Sequence, residues 1–150
     1  HYFTTAIQRG YRAALSKHQI AFDPDLCAQG EFHIQSGYDA MRRILGRKTK
    51  PDAVFANDEM AFGAMRAIKE AGLKIPEDIS VFGFDNLALS QQTEPAMSTV
   101  DLDYEYMGRT AVRKIMENSE STRIVAVRII LPVRLVLRQS TREHGTQAIP

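Results

Sequence analysis

The 150-residue sequence predicts an α/β fold with a doubly wound, mainly parallel sheet flanked by helices. Three observations carry that expectation. Short apolar runs alternate with stripes of helical period, Gly and Pro punctuate the junctions, and two of the apolar runs end on a polar residue, at Asn57 and Asp85. Alternation of this kind calls for parallel strands joined by right-handed crossovers.

The elements follow in order. Ile7, Tyr11, Ala14 and Leu15 form one amphipathic face, which predicts a helix over residues 4–17 opened by the threonines at 4 and 5. The apolar run Leu26 to Ala28 reads as a short strand, with Cys27 as a small buried hydrophobe rather than a nucleophile or ligand. A loop, Gly30-Glu31-Phe32, precedes a second helix that has Ile34, Tyr38, Met41 and Leu45 on one side. Residues 52–57 read as a buried strand and 58–71 as a helix that stops at Gly72. Pro76-Glu77-Asp78 turns the chain into a strand over 79–84 that ends at Asp85. A polar loop, 90–94, and Pro95 lead into Met97-Ser98-Thr99-Val100, and a helix over 103–118 is expected to carry Tyr104, Met107, Ala111 and Ile115 inward. The β-branched run 125–137 is interrupted by Pro132 and suits two short edge strands or one bent strand. The polar tail 142–150 has little to order it.

Composition narrows the class of function. With 44% hydrophobic and 25% charged residues the chain is an ordinary globular domain. At this length it buries roughly two thirds of its unfolded surface without disulfides or metals. A net charge of +1 and the lack of any block of five like charges argue against gripping a phosphate backbone. The cluster Arg128, Arg134, Arg138 and Arg142 is expected on a solvated strand face. No apolar stretch approaches the roughly 20 residues of a membrane span, and no charged-then-apolar leader opens the sequence, so the chain reads as soluble. It starts without methionine and reads as a fragment, which leaves the upstream leader question open.

In open α/β sheets, ligands bind where strand carboxyl ends meet helix N-termini. Asn57 and Asp85 stand at two such ends and would face one crevice. An amide gives donors and an acceptor, and a carboxylate accepts several hydrogen bonds, a set that suits the hydroxyls of a sugar-like ligand. The pattern alone leaves open whether these two residues ligate or merely cap helices. Asp58, followed by Glu59 and an apolar helix, reads as the cap. No phosphate loop, metal-spaced His/Cys set or nucleophile elbow occurs, and the four histidines are scattered, so neither an enzyme nor a cofactor is expected.

Several blocks in order carry a resemblance: 51–64 (PDAVFANDEMAFGA), 71–86 (AGLKIPEDISVFGFDN), 97–100 (MSTV), 107–111 (MGRTA) and 131–141 (LPVRLVLRQST). Together they resemble the periplasmic-binding-protein-like effector domain of the lac/gal repressor family. Periplasmic sugar-binding proteins share the Asn-Asp and Gly-Phe-Asp blocks and are the alternative, but the 76–81 segment and the Arg-Gln-Ser-Thr ending are more similar to repressors. The resemblance implies a cytoplasmic transcription regulator whose small polar effector, a sugar or related metabolite, controls operator binding allosterically. It implies effector contacts from Asn57, Asp85 and Phe32, and a homodimer meeting at Phe62, Leu89 and Thr93. It places the helix over 103–119 in a subdomain otherwise absent from the effector-binding unit 1–141, and gives DNA contact to a helix-turn-helix outside this sequence. The family pattern also has an Arg where this chain has Ile7, and frequently a polar residue where it has Leu102. Those exchanges would remove a donor worth about 1.5–3 kcal/mol and favour a less polar effector, or one anchored from the half of the family domain outside this sequence.

Overall fold

A computed structural model describes residues 2–119 and 126–142. Helix α1 (Tyr2–Lys17) is followed by a 3-10 turn (Pro24–Leu26), α2 (Ile34–Leu45), β1 (Ala53–Phe55), α3 (Asp58–Glu70), β2 (Ser80–Phe82), a second 3-10 turn (Ala88–Gln91), β3 (Thr99–Asp101), α4 (Tyr104–Ser119) and β4 (Arg134–Val136). Strands β1 and β2 pair in parallel with Val54 opposite Val81. A parallel bridge from Phe82 to Ser98 carries the ladder toward β3, and β3 pairs antiparallel with β4, Val100 opposite Leu135. The predicted order of strands and helices is thus largely present, mainly parallel with one antiparallel member.

The core lies between this sheet and the α2/α3 layer. Met41, Ala61, Ala64, Met65, Ile68, Val81 and Met97 are buried in one cluster, with Val54 and Tyr38 packed against it. The two helices approach until backbone meets backbone: a Cβ at Gly63 would collide with the Ile34 carbonyl, and one at Gly37 with the Met60 backbone. Side-chain bonds join the two helices as well, Arg66 donating to Gln35 at 3.0 Å and Tyr38 to Glu70 at 2.5 Å. The N-terminus of α3 follows β1 directly, and the loop before α2 meets its first turn where Gly30 faces Met60. Because strand side chains alternate, the residues flanking Val54 and Val81 point the other way, and Phe55, Phe82 and Phe84 form a ring cluster there with centroids 6.4 Å apart. Phe55 stays half exposed.

Four expectations change. The apolar run 26–28 is not a strand: Pro24 sets the first position of a 3-10 turn and Asp23 accepts the Asp25 N–H at 2.8 Å, which bends the chain before a ladder can start. Residues 126–133 are outside any strand and only β4, beyond Pro132, pairs. Val125 and the tail 143–150 lie outside the described residues. Helix α4 exists as predicted, but none of its residues is buried: Met107, Val112, Ile115 and Met116 are exposed, because nothing in the described chain packs over that face. Finally, the four arginines do not share a solvated face. Arg134 pairs with Asp101 at 2.6 Å, Arg138 turns inward, Arg142 donates to the Asp52 carbonyl at 3.1 Å, and Arg128 is exposed. Among the described residues no helix is long and apolar enough to cross a membrane.

Candidate functional site

The site is built at the carboxyl edge of β1, β2 and β3. The ladder continues past the regular strands, with Asp58 N–H donating to the Phe84 carbonyl at 2.9 Å and Asp85 N–H to the Val100 carbonyl at 3.0 Å. One backbone bond thus sets the Asn57–Asp58 peptide beside Phe84–Asp85, bringing the two predicted polar residues to neighbouring strand ends. Asn57 is the N-cap of α3, its Oδ1 accepting from Met60 N–H at 3.4 Å. Asp85 is half-buried with φ of 121°, and its Oδ1 accepts the Tyr104 hydroxyl at 2.6 Å.

Phe32 stands in the loop before α2 with φ of 59° and its ring more than half exposed. The loop is held on both sides. Gly30 leaves room for the Met60 thioether from the first turn of α3, and Ser36 Oγ accepts from Glu31 N–H at 2.9 Å. The following residue, His33, caps α2 through Nδ1, which accepts from Ser36 N–H at 3.1 Å. Phe32 is therefore presented at the same sheet edge as the Asn57 cap.

Asp58 is where local reading went wrong by one residue. It does not cap α3; Asn57 does. Asp58 is fully buried, and its two oxygens accept from Thr99 hydroxyl at 2.7 Å and Leu87 N–H at 2.7 Å. Gly83 makes this possible, since a Cβ there would strike the carboxylate. Burial raises the Asp58 pKa from the ordinary 3.8, against the lowering effect of the Thr99 and Leu87 bonds. The group is a brace for the turn after β2.

Tyr104, at the start of α4, is the site residue that sequence reasoning assigned only to packing. Burial, then the bond to Asp85, pushes its phenol from 10.0 to about 12. It remains a proton donor to the carboxylate at neutral pH. Asp101, one strand away, is held below the ordinary carboxylate value by the Arg134 guanidinium and then by the Asp103 N–H. Of the two departures from family pattern, Ile7 is partly exposed on α1 and Leu102 is half-buried after β3. No group of His, Cys, Asp and Glu among the described residues could hold a metal ion. Of the three expected interface positions, Phe62 has most of its ring in the chain's own core, Leu89 is open, and Thr93 donates to the Ser90 carbonyl at 3.1 Å.

Residues 2–141 match the family model described as a periplasmic binding protein-like domain. The chain belongs to this family. The relatives it is similar to include several HTH-type transcription regulators. The probable HTH-type transcriptional repressor ExuR of Bacillus subtilis (strain 168) is 36% identical over 147 residues, covering 96% of this chain and 44% of the relative. Among solved structures, the transcriptional regulator CelR–cellobiose complex superposes with a TM-score of 0.84 at 35% identity, over 89% of this chain and 41% of the other. A dimeric lac repressor with an 11-residue C-terminal deletion gives 0.80 at 34% identity, over 89% and 48%. The chain spans less than half the length of the curated relatives it matches. These relatives are regulators rather than enzymes or uptake proteins.

Proposed function

We propose that this chain is the effector-sensing and dimerisation part of a DNA-binding transcriptional repressor, and that it binds a small sugar-like molecule in the crevice at the ends of β1 and β2. The observation that carries the reading is the placement of Asn57 and Asp85 at neighbouring strand ends, with Phe32 exposed in the loop before α2. A sugar needs this combination, since its hydroxyls take polar partners and its ring faces take an aromatic surface. The CelR relative is a cellobiose complex, which supports a saccharide over other polar ligands.

In this reading the effector favours one orientation of this unit against a second subdomain, and the coupling reaches operator DNA through a helix-turn-helix outside the chain. Helix α4 belongs to that second subdomain, which accounts for its uncovered apolar face. The homodimer surface would take Leu89, which is exposed, Thr93, which is partly buried, and Phe62, which is buried. The regulator works in the cytoplasm, where its operator is.

Calorimetric titration of the full-length protein, wild type and Asp85→Ala, against cellobiose, sugar phosphates and purines tests the reading. The carboxylate accepts charge-assisted bonds worth about 1.5–3 kcal/mol, so the variant should bind about ten- to a hundredfold more weakly. An unchanged affinity in Asp85→Ala removes Asp85 from the site.

A further inference from the structure

The turn that carries Asp85 has two consecutive non-glycine residues at positive φ, Asp85 at 121° and Asn86 at 51°. Such a backbone persists only where its surroundings over-determine it. Three of its ties come from β3 and α3: Asp85 N–H to the Val100 carbonyl at 3.0 Å, Asn86 N–H to Thr99 Oγ1 at 3.2 Å, and Leu87 N–H to Asp58 Oδ2 at 2.7 Å. The fourth comes from beyond β4. Arg138 Nη2 donates to Asn86 Oδ1 at 2.9 Å. This is the arginine of the Arg-Gln-Ser-Thr ending, a motif to which the effector reading gives no role.

Its surroundings are not those of a surface charge. The half-buried guanidinium also donates through Nη1 to Ser90 Oγ at 3.1 Å and to the Met97 carbonyl at 2.6 Å, while the Arg138 N–H is held by Ser98 Oγ at 2.8 Å. Among the described residues it pairs with no carboxylate. Two residues on, Ser140 is fully buried, with its Oγ donating to the Val81 carbonyl at 2.5 Å and accepting Ser98 N–H at 2.8 Å. The ending is therefore fastened across β2 and the lead into β3, and Arg138 cannot drift. The Asn86 side chain lies between opposite charges: its oxygen faces Arg138, and its amide reaches the Asp101 carboxylate. That arrangement fixes which way the amide points. It also links the turn to Asp101–Arg134, the ion pair that joins β3 to β4.

We propose that Arg138 is a positioning residue for effector binding, which through Asn86 holds the strained Asp85–Asn86 turn and ties it to the chain returning along β4. The proposal rests on the reading of Asp85 as an effector contact. A forked guanidinium reaches three acceptors on two segments from two separate nitrogens, whereas lysine donates from one.

Hydrogen exchange on the full-length protein without effector, for wild type, Arg138→Met and Arg138→Lys, reads the turn directly. Arg138→Met should speed exchange at residues 85–87 by about tenfold or more, with β1 and β2 unchanged, and Arg138→Lys should fall between. Calorimetry with cellobiose, glucose 6-phosphate and adenine should then show about tenfold weaker binding of whichever compound wild type binds, partly restored in Arg138→Lys. Unchanged exchange at 85–87, or faster exchange across the whole sheet, overturns the proposal. A loosened turn with unchanged affinity overturns it differently, because the failure then lies in the role given to Asp85. If wild type binds none of the three, the effector reading on which the proposal rests fails, and the proposal with it.

Discussion

Replacing Asp58 with alanine tests whether the turn after β2 is braced by a buried carboxylate. The change deletes both oxygens and leaves the Leu87 N–H and the Thr99 hydroxyl, each previously bonded at 2.7 Å, without an acceptor. A buried donor left unsatisfied costs about 1–3 kcal/mol, so the two together cost about 2–6. Relief from keeping a carboxylate out of water returns part of this, and a net loss of about 2–4 kcal/mol is expected. Urea unfolding of Asp58→Ala, Thr99→Val and the double variant separates the terms. Because the two residues share one bond, the double variant should be less destabilised than the sum of the singles by about 1 kcal/mol. The pH dependence has a definite sign. Burial raises the folded pKa above 3.8, so the folded state holds its proton more tightly than the unfolded one. Stability from this group is then greatest below 3.8 and declines as the pH rises through the folded value. The advantage of wild type over Asp58→Ala should grow as the pH is lowered from neutrality toward 3.8. Additivity within about 0.5 kcal/mol, or an advantage that shrinks on acidification, would refute the brace.

Three further outcomes are expected. Gly63→Ala should destabilise the chain by about 1–3 kcal/mol, since the added methyl meets the α2 backbone, whereas Gly10→Ala on α1, with open space around it, should stabilise by about 0.5–1 kcal/mol; thermal unfolding of the pair measures both. Carbon-13 tyrosine titration should find Tyr104 ionising near 12, with Asp85→Ala moving it down but not fully to 10.0, because burial is the larger cause; a value at 10.0 in wild type contradicts the bond to Asp85. His33→Ala removes the Nδ1 acceptor at the N-cap of α2 and should cost about 1 kcal/mol, with faster amide exchange confined to the first turn of that helix.

How much was legible depends on sequence distance. Helices α1, α2 and α3 were readable because 3.6-residue periodicity and local stop signals such as Gly72, at φ of 75°, act within a few residues. The ends of β1 and β2 were readable because a polar residue closes each apolar run. The strand expected at 26–28 failed because three apolar residues carry no periodicity that could outweigh Pro24 and the Asp23 cap. Asp58 was misread because its partners Leu87 and Thr99 lie 29 and 41 residues away, while the first-turn acid rule looks only at its neighbours. Tyr104 meets Asp85 across 19 residues, and Arg138 meets Asn86 across 52. No local pattern announces either contact. The periodicity of α4 reads that stripe as inward, whereas the structure leaves it exposed.

The pairing of β3 with β4 has a consequence for how this polypeptide could be rebuilt. Asp101 and Arg134 stand opposite each other as the last antiparallel partners before the chain departs along α4. Two such ends can be closed by a two-residue loop. The stretch 102–133, with half of the exposed large hydrophobic side chains among the described residues, is therefore an excursion that a genetic deletion could remove while the two strands stay in register. What would be left is a contiguous miniature carrying Asn57, Phe32, Asp85 and Arg138, from which Leu102 and Tyr104 have been taken away.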